Sequence, residues 1–136
     1  MLYSIKGGKK SEKDLVVKAL WFAKDFLLPR HKNIEIDIEL KKNIKCDADV
    51  VSGDEHREYI MRVRKGQSEE NLLTSVFHEM VHVKQDVRKE HPLFDCSEIP
   101  YLERPWEIEA YELQETMLTA FKKEEKIAAA KKSKKK

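Results

Sequence analysis

The chain has few of the features that mark several protein classes. It holds only two cysteines, Cys46 and Cys96, in 136 residues. Two thiols make no disulfide framework, and each reads as a small buried or half-buried side chain. No stretch of about 18 or more consecutive apolar residues occurs, so no transmembrane helix is expected. The opening "MLYSIKGGKK" lacks the apolar core of an export signal. A cytoplasmic location, or release only by lysis of the host cell, is the expectation. No repeat and no second hydrophobic cluster asks for a further domain, and the length suits one.

What is present is charge. Charged residues make up 38% and hydrophobic ones 40%, enough for a core under a heavily solvated surface. The net charge of +2 hides an asymmetry. Residues 122–136, "KKEEKIAAAKKSKKK", hold eight lysines and two glutamates. We read 1–121 as the domain and 122–136 as a basic, flexible tail. Such a tail solubilises, and it also offers a weak contact to nucleic acid. No aromatic residue is interleaved for base stacking. A monomer is expected.

Residues 11–29 read as a helix capped by Ser11 with Asp14 as reciprocal partner. Val16, Ala19, Leu20, Ala23, Phe26 and Leu27 form its apolar stripe, and Pro29 ends it. "NIEIDIEL" (33–40) alternates strictly, as a half-buried strand does. "CDADVV" (46–51) and "REYIMRVR" (57–64) add two short strands around the turn "SGDEH". Three strands in sequence predict a mainly antiparallel meander. A helix follows from about Ser68 to Val87, then a loop over 88–104. A last helix starts at Pro105 and runs into the 120s. The fold class is α+β.

The central helix carries "SVFHEMVHVKQ" (75–85). His78 and His82 lie one turn apart on one side, so both imidazoles reach one ion. Glu79 stands beside them, where it takes a proton from metal-bound water. Chance produces HExxH about 0.02 times per chain of this composition. Leu72, Leu73, Val76, Phe77, Met80 and Val83 form the opposite, core-facing side. The histidines are therefore expected on a polar ribbon away from the core.

Catalytic zinc uses three protein ligands and keeps a fourth position open. Candidates for the third are His91, Asp95, Cys96, Glu98, Glu103, Glu107 and Glu109, with Cys46 upstream. In "RPWEIEAYELQETMLTAF" (104–121), Glu107 falls inside the apolar arc formed by Trp106, Ala110, Leu113, Met117 and Phe121. A carboxylate there is costly unless paired or metal-bound, which favours Glu107, with Glu109 at the arc's edge. Gln114 shares that face and is placed to hydrogen-bond a ligand.

"HEMVH" followed by "EIEAY" on a later helix resembles the gluzincin zinc metallopeptidases, in particular their small single-domain forms, the minigluzincins. The resemblance covers roughly residues 11–121. It implies a zincin-like fold, one Zn2+ held by His78, His82 and Glu107, and peptide hydrolysis with Glu79 as general base. Gluzincins often carry an Asp four residues after the ligand Glu. Tyr111 stands there, so another group, such as Asp95, must orient an imidazole. The metzincin pattern fails at Gln85, where a Gly is needed. The surroundings of Cys46 do not match a deformylase.

Tyr101 is the chosen oxyanion donor, with Tyr111, His91 and Arg104 as alternatives. In resembling enzymes an edge strand binds the peptide substrate; by order this is 57–64. Asp95 or Cys96 on the 88–104 loop could close the open zinc position as a latent state. The competing reading is a non-catalytic binding or regulatory module on the same fold. An intact Glu79 argues against it, because a structural zinc site has no use for a base.

Overall fold

A computed structural model describes residues 1–90 and 100–134. The elements are β1 (Leu2–Lys6), α1 (Lys10–Leu27), β2 (Glu35–Lys41), β3 (Ala48–Ser52), β4 (Glu58–Arg64), α2 (Glu69–Val87), a 3-10 turn (Tyr101–Glu103) and α3 (Pro105–Lys134). The protein is α+β, as the sequence predicts. His91, Asp95, Cys96 and Glu98 lie outside the described residues.

The sheet differs from a three-stranded meander. It has four strands in the order β1-β2-β4-β3. β1 pairs parallel with β2, and β2 parallel with β4. Only the β3–β4 hairpin is antiparallel. Alternation in sequence fixes which face a residue takes, not which strand lies beside it or in which direction. The parallel register sets Ile36 beside Tyr59, Ile38 beside Met61 and Leu40 beside Val63. All six are buried. β1 and α1 meet at Gly7, whose φ is +82° and where a Cβ would stand 2.3 Å from the Leu40 carbonyl oxygen. Only glycine fits that turn.

The α1 cap lies earlier than expected. Lys9, not Ser11, is the N-cap, and the Glu12 carboxylate accepts its N–H at 3.0 Å. Glu12 also accepts from Gly66 N–H at 2.7 Å, tying α1 to the turn before α2. These two backbone donors, Gly66 first, hold the Glu12 carboxyl below its ordinary value. Val16, Ala19, Leu20, Ala23 and Leu27 are buried as expected. Phe26 is not; it is exposed and stacks on Phe22.

α2 is the centre of the molecule. Ser68 caps it, its Oγ accepting from Asn71 N–H at 3.2 Å. Leu72, Leu73, Val76, Phe77, Met80 and Val83 face the core and are buried. The polar ribbon is also covered, because α3 packs along it. His78, Glu79 and Gln85 are consequently buried. The ribbon lies opposite the core as expected, and α3 covers it, so α2 is enclosed on both sides.

α3 does not stop in the 120s. It continues as helix to Lys134, so the basic segment extends the helix through that residue. Residues 122–131 of it are exposed. Two surface ion pairs, Lys122–Glu70 at 3.3 Å and Lys18–Glu125 at 3.6 Å, tie its base to the body.

Two mutations separate core from extension. Phe77 is fully buried between Phe22 and Phe121, so Phe77→Ala is expected to cost about 3–5 kcal/mol in urea denaturation. Truncation after Phe121 removes, among the residues of described burial, exposed side chains and those surface pairs. It is expected to change stability by no more than about 1 kcal/mol.

Candidate metal centre

Two helix positions and one facing residue build the site. His78 and His82 point from successive turns of α2, and Glu107 comes from the first turn of α3. Glu107 Oε1 lies 3.3 Å from His78 Nε2 and 2.5 Å from His82 Nε2. The three potential ligand atoms lie within 4.8 Å of one another. Glu107 is 4% exposed.

Among the described residues, Glu107 Oε1 is buried and has no hydrogen-bond partner of full geometry, although both imidazoles stand beside it. The far sides of both rings set their protonation. His78 Nδ1 meets Gln114 Oε1 at 2.7 Å, and His82 Nδ1 meets Gln85 Oε1 at 2.9 Å. The amide oxygen of Gln85 is identified by its nitrogen, which donates to Trp106 O and Glu109 Oε1, both at 2.9 Å. Each Nδ1 must then carry the proton, and each neutral ring turns its Nε2 lone pair inward. Two lone pairs and a carboxylate oxygen converge in a buried place. That is unfavourable without positive charge between them. Two imidazole nitrogens and one carboxylate oxygen suit Zn2+, so the residues fit the ion that the sequence implies.

The titration of these groups follows from the same crowding. Burial alone would push Glu107 up, but the imidazoles of His78 and His82 and the Tyr101 hydroxyl outweigh it. They hold the carboxyl well below the usual range. Burial alone would lower His82; Glu107 and Gln85 reverse this and raise it. Burial pushes Glu79 up to about 7, against the pull of His82 and His78.

The other candidates sort clearly. Glu109 accepts from Lys84 Nζ at 3.3 Å and from Gln85, and it is outside the converging group. Glu103 is exposed on the 3-10 turn. Cys46 is exposed, its thiol donating to Ala48 O at 3.2 Å. Tyr101 hydrogen-bonds Glu107 and Tyr111, while the Tyr111 ring meets His78 edge-on at 4.7 Å. Gln114 takes up the orienting task left open by Tyr111. Gln85 does the same for His82, and sequence reading gave it no role. Its position three residues after His82, on the same helix side, was the available signal.

A cleft of about 320 Å³ opens over the centre. Its walls are Cys46, Asp47 and Ala48 on one side and Tyr101, Tyr111 and Gln114 on the other, with His78 and Glu79 also lining it. β4 is internal, so the strand expected at 57–64 offers no free edge; β3 is the edge strand beside the cleft. A wider groove of about 690 Å³, around Trp21 and Phe121, shares none of these residues. Comparison with protein-family models, curated proteins and solved structures finds no match to this chain.

Metal uptake is expected to be lost in His78→Ala and Glu107→Ala, and kept in Glu79→Gln, by elemental analysis. pH gives a second check. His82, raised, stabilises the metal-free fold below the ordinary imidazole value of 6.5, and this is lost as pH rises through its folded value. Glu107, lowered, stabilises above the ordinary 4.5, and this is lost as pH falls through its folded value. Glu79, raised, costs stability as pH climbs from 4.5 to about 7. A metal ion held by His82 would have to displace its proton. The rise in melting temperature on adding zinc should therefore grow from pH 6 to pH 8, at about constant free zinc. A rise that shrinks over that range would contradict this assignment.

Proposed function

We propose that this chain is a zinc-dependent peptidase of the gluzincin kind, with His78, His82 and Glu107 as ligands and Glu79 as general base. The convergence of the three ligand atoms around a buried, unbonded carboxylate oxygen carries the reading. Zinc held in this way acidifies water and polarises a carbonyl.

The chain's own residues do the rest. Glu79 accepts a proton from the attacking water and passes it to the leaving amine. Burial suits it to this, since a carboxyl near 7 both takes and returns a proton at neutral pH. Tyr101 and Tyr111 line the cleft with Glu79. The single hydroxyl hydrogen of Tyr101 is engaged by Glu107, so Tyr111, whose hydroxyl makes only a long 3.5 Å contact to Tyr101, is the proposed donor to the carbonyl oxygen as it gains charge. The free edge of β3 binds an extended peptide by strand addition. The substrate is a peptide or unfolded protein segment, because only an extended chain lies along a strand edge.

Zinc-loaded protein is expected to cleave a quenched-fluorescent peptide library or casein. Glu79→Gln should lower kcat by about 10²–10⁴-fold with zinc content unchanged. Full hydrolysis by that variant would remove Glu79 from the reaction. No hydrolysis by the zinc-loaded wild type, across the library, would leave a binding module.

A further inference from the structure

Gluzincins often hold a ligand imidazole with a carboxylate; among the described residues here, both are held by glutamines. Gln114 reaches from α3 to His78 on α2. Gln85 lies on α2, binds His82, and donates to the carbonyl of Trp106, the residue before Glu107. Gln85 is 1% exposed and Gln114 8%. Each side chain spans the two ligand helices, and Gln85 joins His82 to the backbone just before Glu107.

We propose that Gln85 and Gln114 are the positioning residues of this centre, and that their lack of charge holds its metal affinity below what carboxylates would give. The inference rests on the zinc site of the proposed function, not on the reaction assigned to it. Three physical steps lead there. An amide oxygen accepts the Nδ1 proton as a carboxylate does, so the tautomer and ring direction are set equally well. A carboxylate at that distance also makes the imidazole a stronger donor to the metal, and an uncharged amide does so less. With one anionic ligand and two neutral ones, a divalent ion keeps a net positive charge, which favours polarisation of a bound carbonyl over tight retention.

The two glutamines are not equivalent, and this makes the test specific. Both amide hydrogens of Gln85 are used, by Trp106 O and Glu109 Oε1. A glutamate there would face two acceptors and repel them. Gln114 nitrogen has one long contact, to Glu115 Oε1 at 3.4 Å. Gln114→Glu therefore changes charge while leaving the bond to His78 in place.

Zinc affinity of the full chain is read by competition with a chromogenic chelator, and Co2+ spectra report ligand geometry. Gln114→Glu is expected to bind zinc about tenfold more tightly, and Gln114→Leu and Gln85→Leu about 10–100-fold more weakly. The Co2+ spectrum should keep its shape in Gln114→Glu and change in both leucine variants. A purely structural role for Gln114 predicts no tightening in the glutamate variant. Wild-type affinity in Gln114→Glu, or in both leucine variants, overturns the proposal. Should Gln85→Leu fail to fold, the Gln114 pair decides alone. A wild type that takes up no zinc overturns this inference together with the proposed function. The expected affinity pattern without any peptide cleavage supports the inference and removes only the reaction.

Discussion

The contact between α2 and α3 depends on one electrostatic conflict. Two imidazole nitrogens and a carboxylate oxygen are turned toward the same buried point. In water such a cluster would separate or be solvated. Inside a packed contact it does neither, and a low local dielectric sharpens the repulsion. A proton on His82 relieves it in part, which is why that imidazole is raised. A divalent cation relieves it for all three groups at once. The same conflict explains why a polar ribbon runs through the middle of an otherwise apolar helix pair.

The rest of the molecule keeps that ribbon in place. α2 packs its apolar side into the core through Phe77, Met80 and Val83, all fully or almost fully buried. Its polar side meets α3, where Lys84 links Glu90 and Glu109 and Gln85 uses every hydrogen-bonding atom it has. Tyr59 adds a tie from β4, its hydroxyl donating to Asp86 at 2.5 Å. The parallel pairing of β2 and β4 matters for access. It places β4 inside the sheet and leaves β3 as the edge, so a wall of the cleft comes from a strand with unused backbone groups.

Some of this was legible in the residues and some was not, for definable reasons. Glu107 could be found because a carboxylate inside an apolar arc is an anomaly that a sequence displays. Gln85 shows only its spacing from His82, and a polar residue on a polar ribbon is unremarkable until α3 is known to cover it. The strand faces of β2 and β4 were readable, since a period of two sets the face. Their neighbours and directions were not, and β1, short and largely exposed, carries no such pattern. The end of α3 is hidden for another reason: the segment is conspicuous for its lysines, yet "KIAAAKK" is mostly made of strong helix formers, and the helix continues.

Glu79 shows how far so small a domain carries the proposed chemistry. Its carboxyl is raised because the packing that encloses α2 also removes water from around it. The cleft beside it is lined, among the described residues, by Cys46, Asp47 and Ala48 and by Tyr101, Tyr111 and Gln114. Selectivity under the peptidase reading would then come from the backbone. An extended segment gains hydrogen bonds along β3 whatever its sequence, and a folded one gains none. The chemistry would be sharply placed while the choice of peptide stays broad, because the burial that tunes Glu79 comes from helix packing and not from a substrate-shaped cavity.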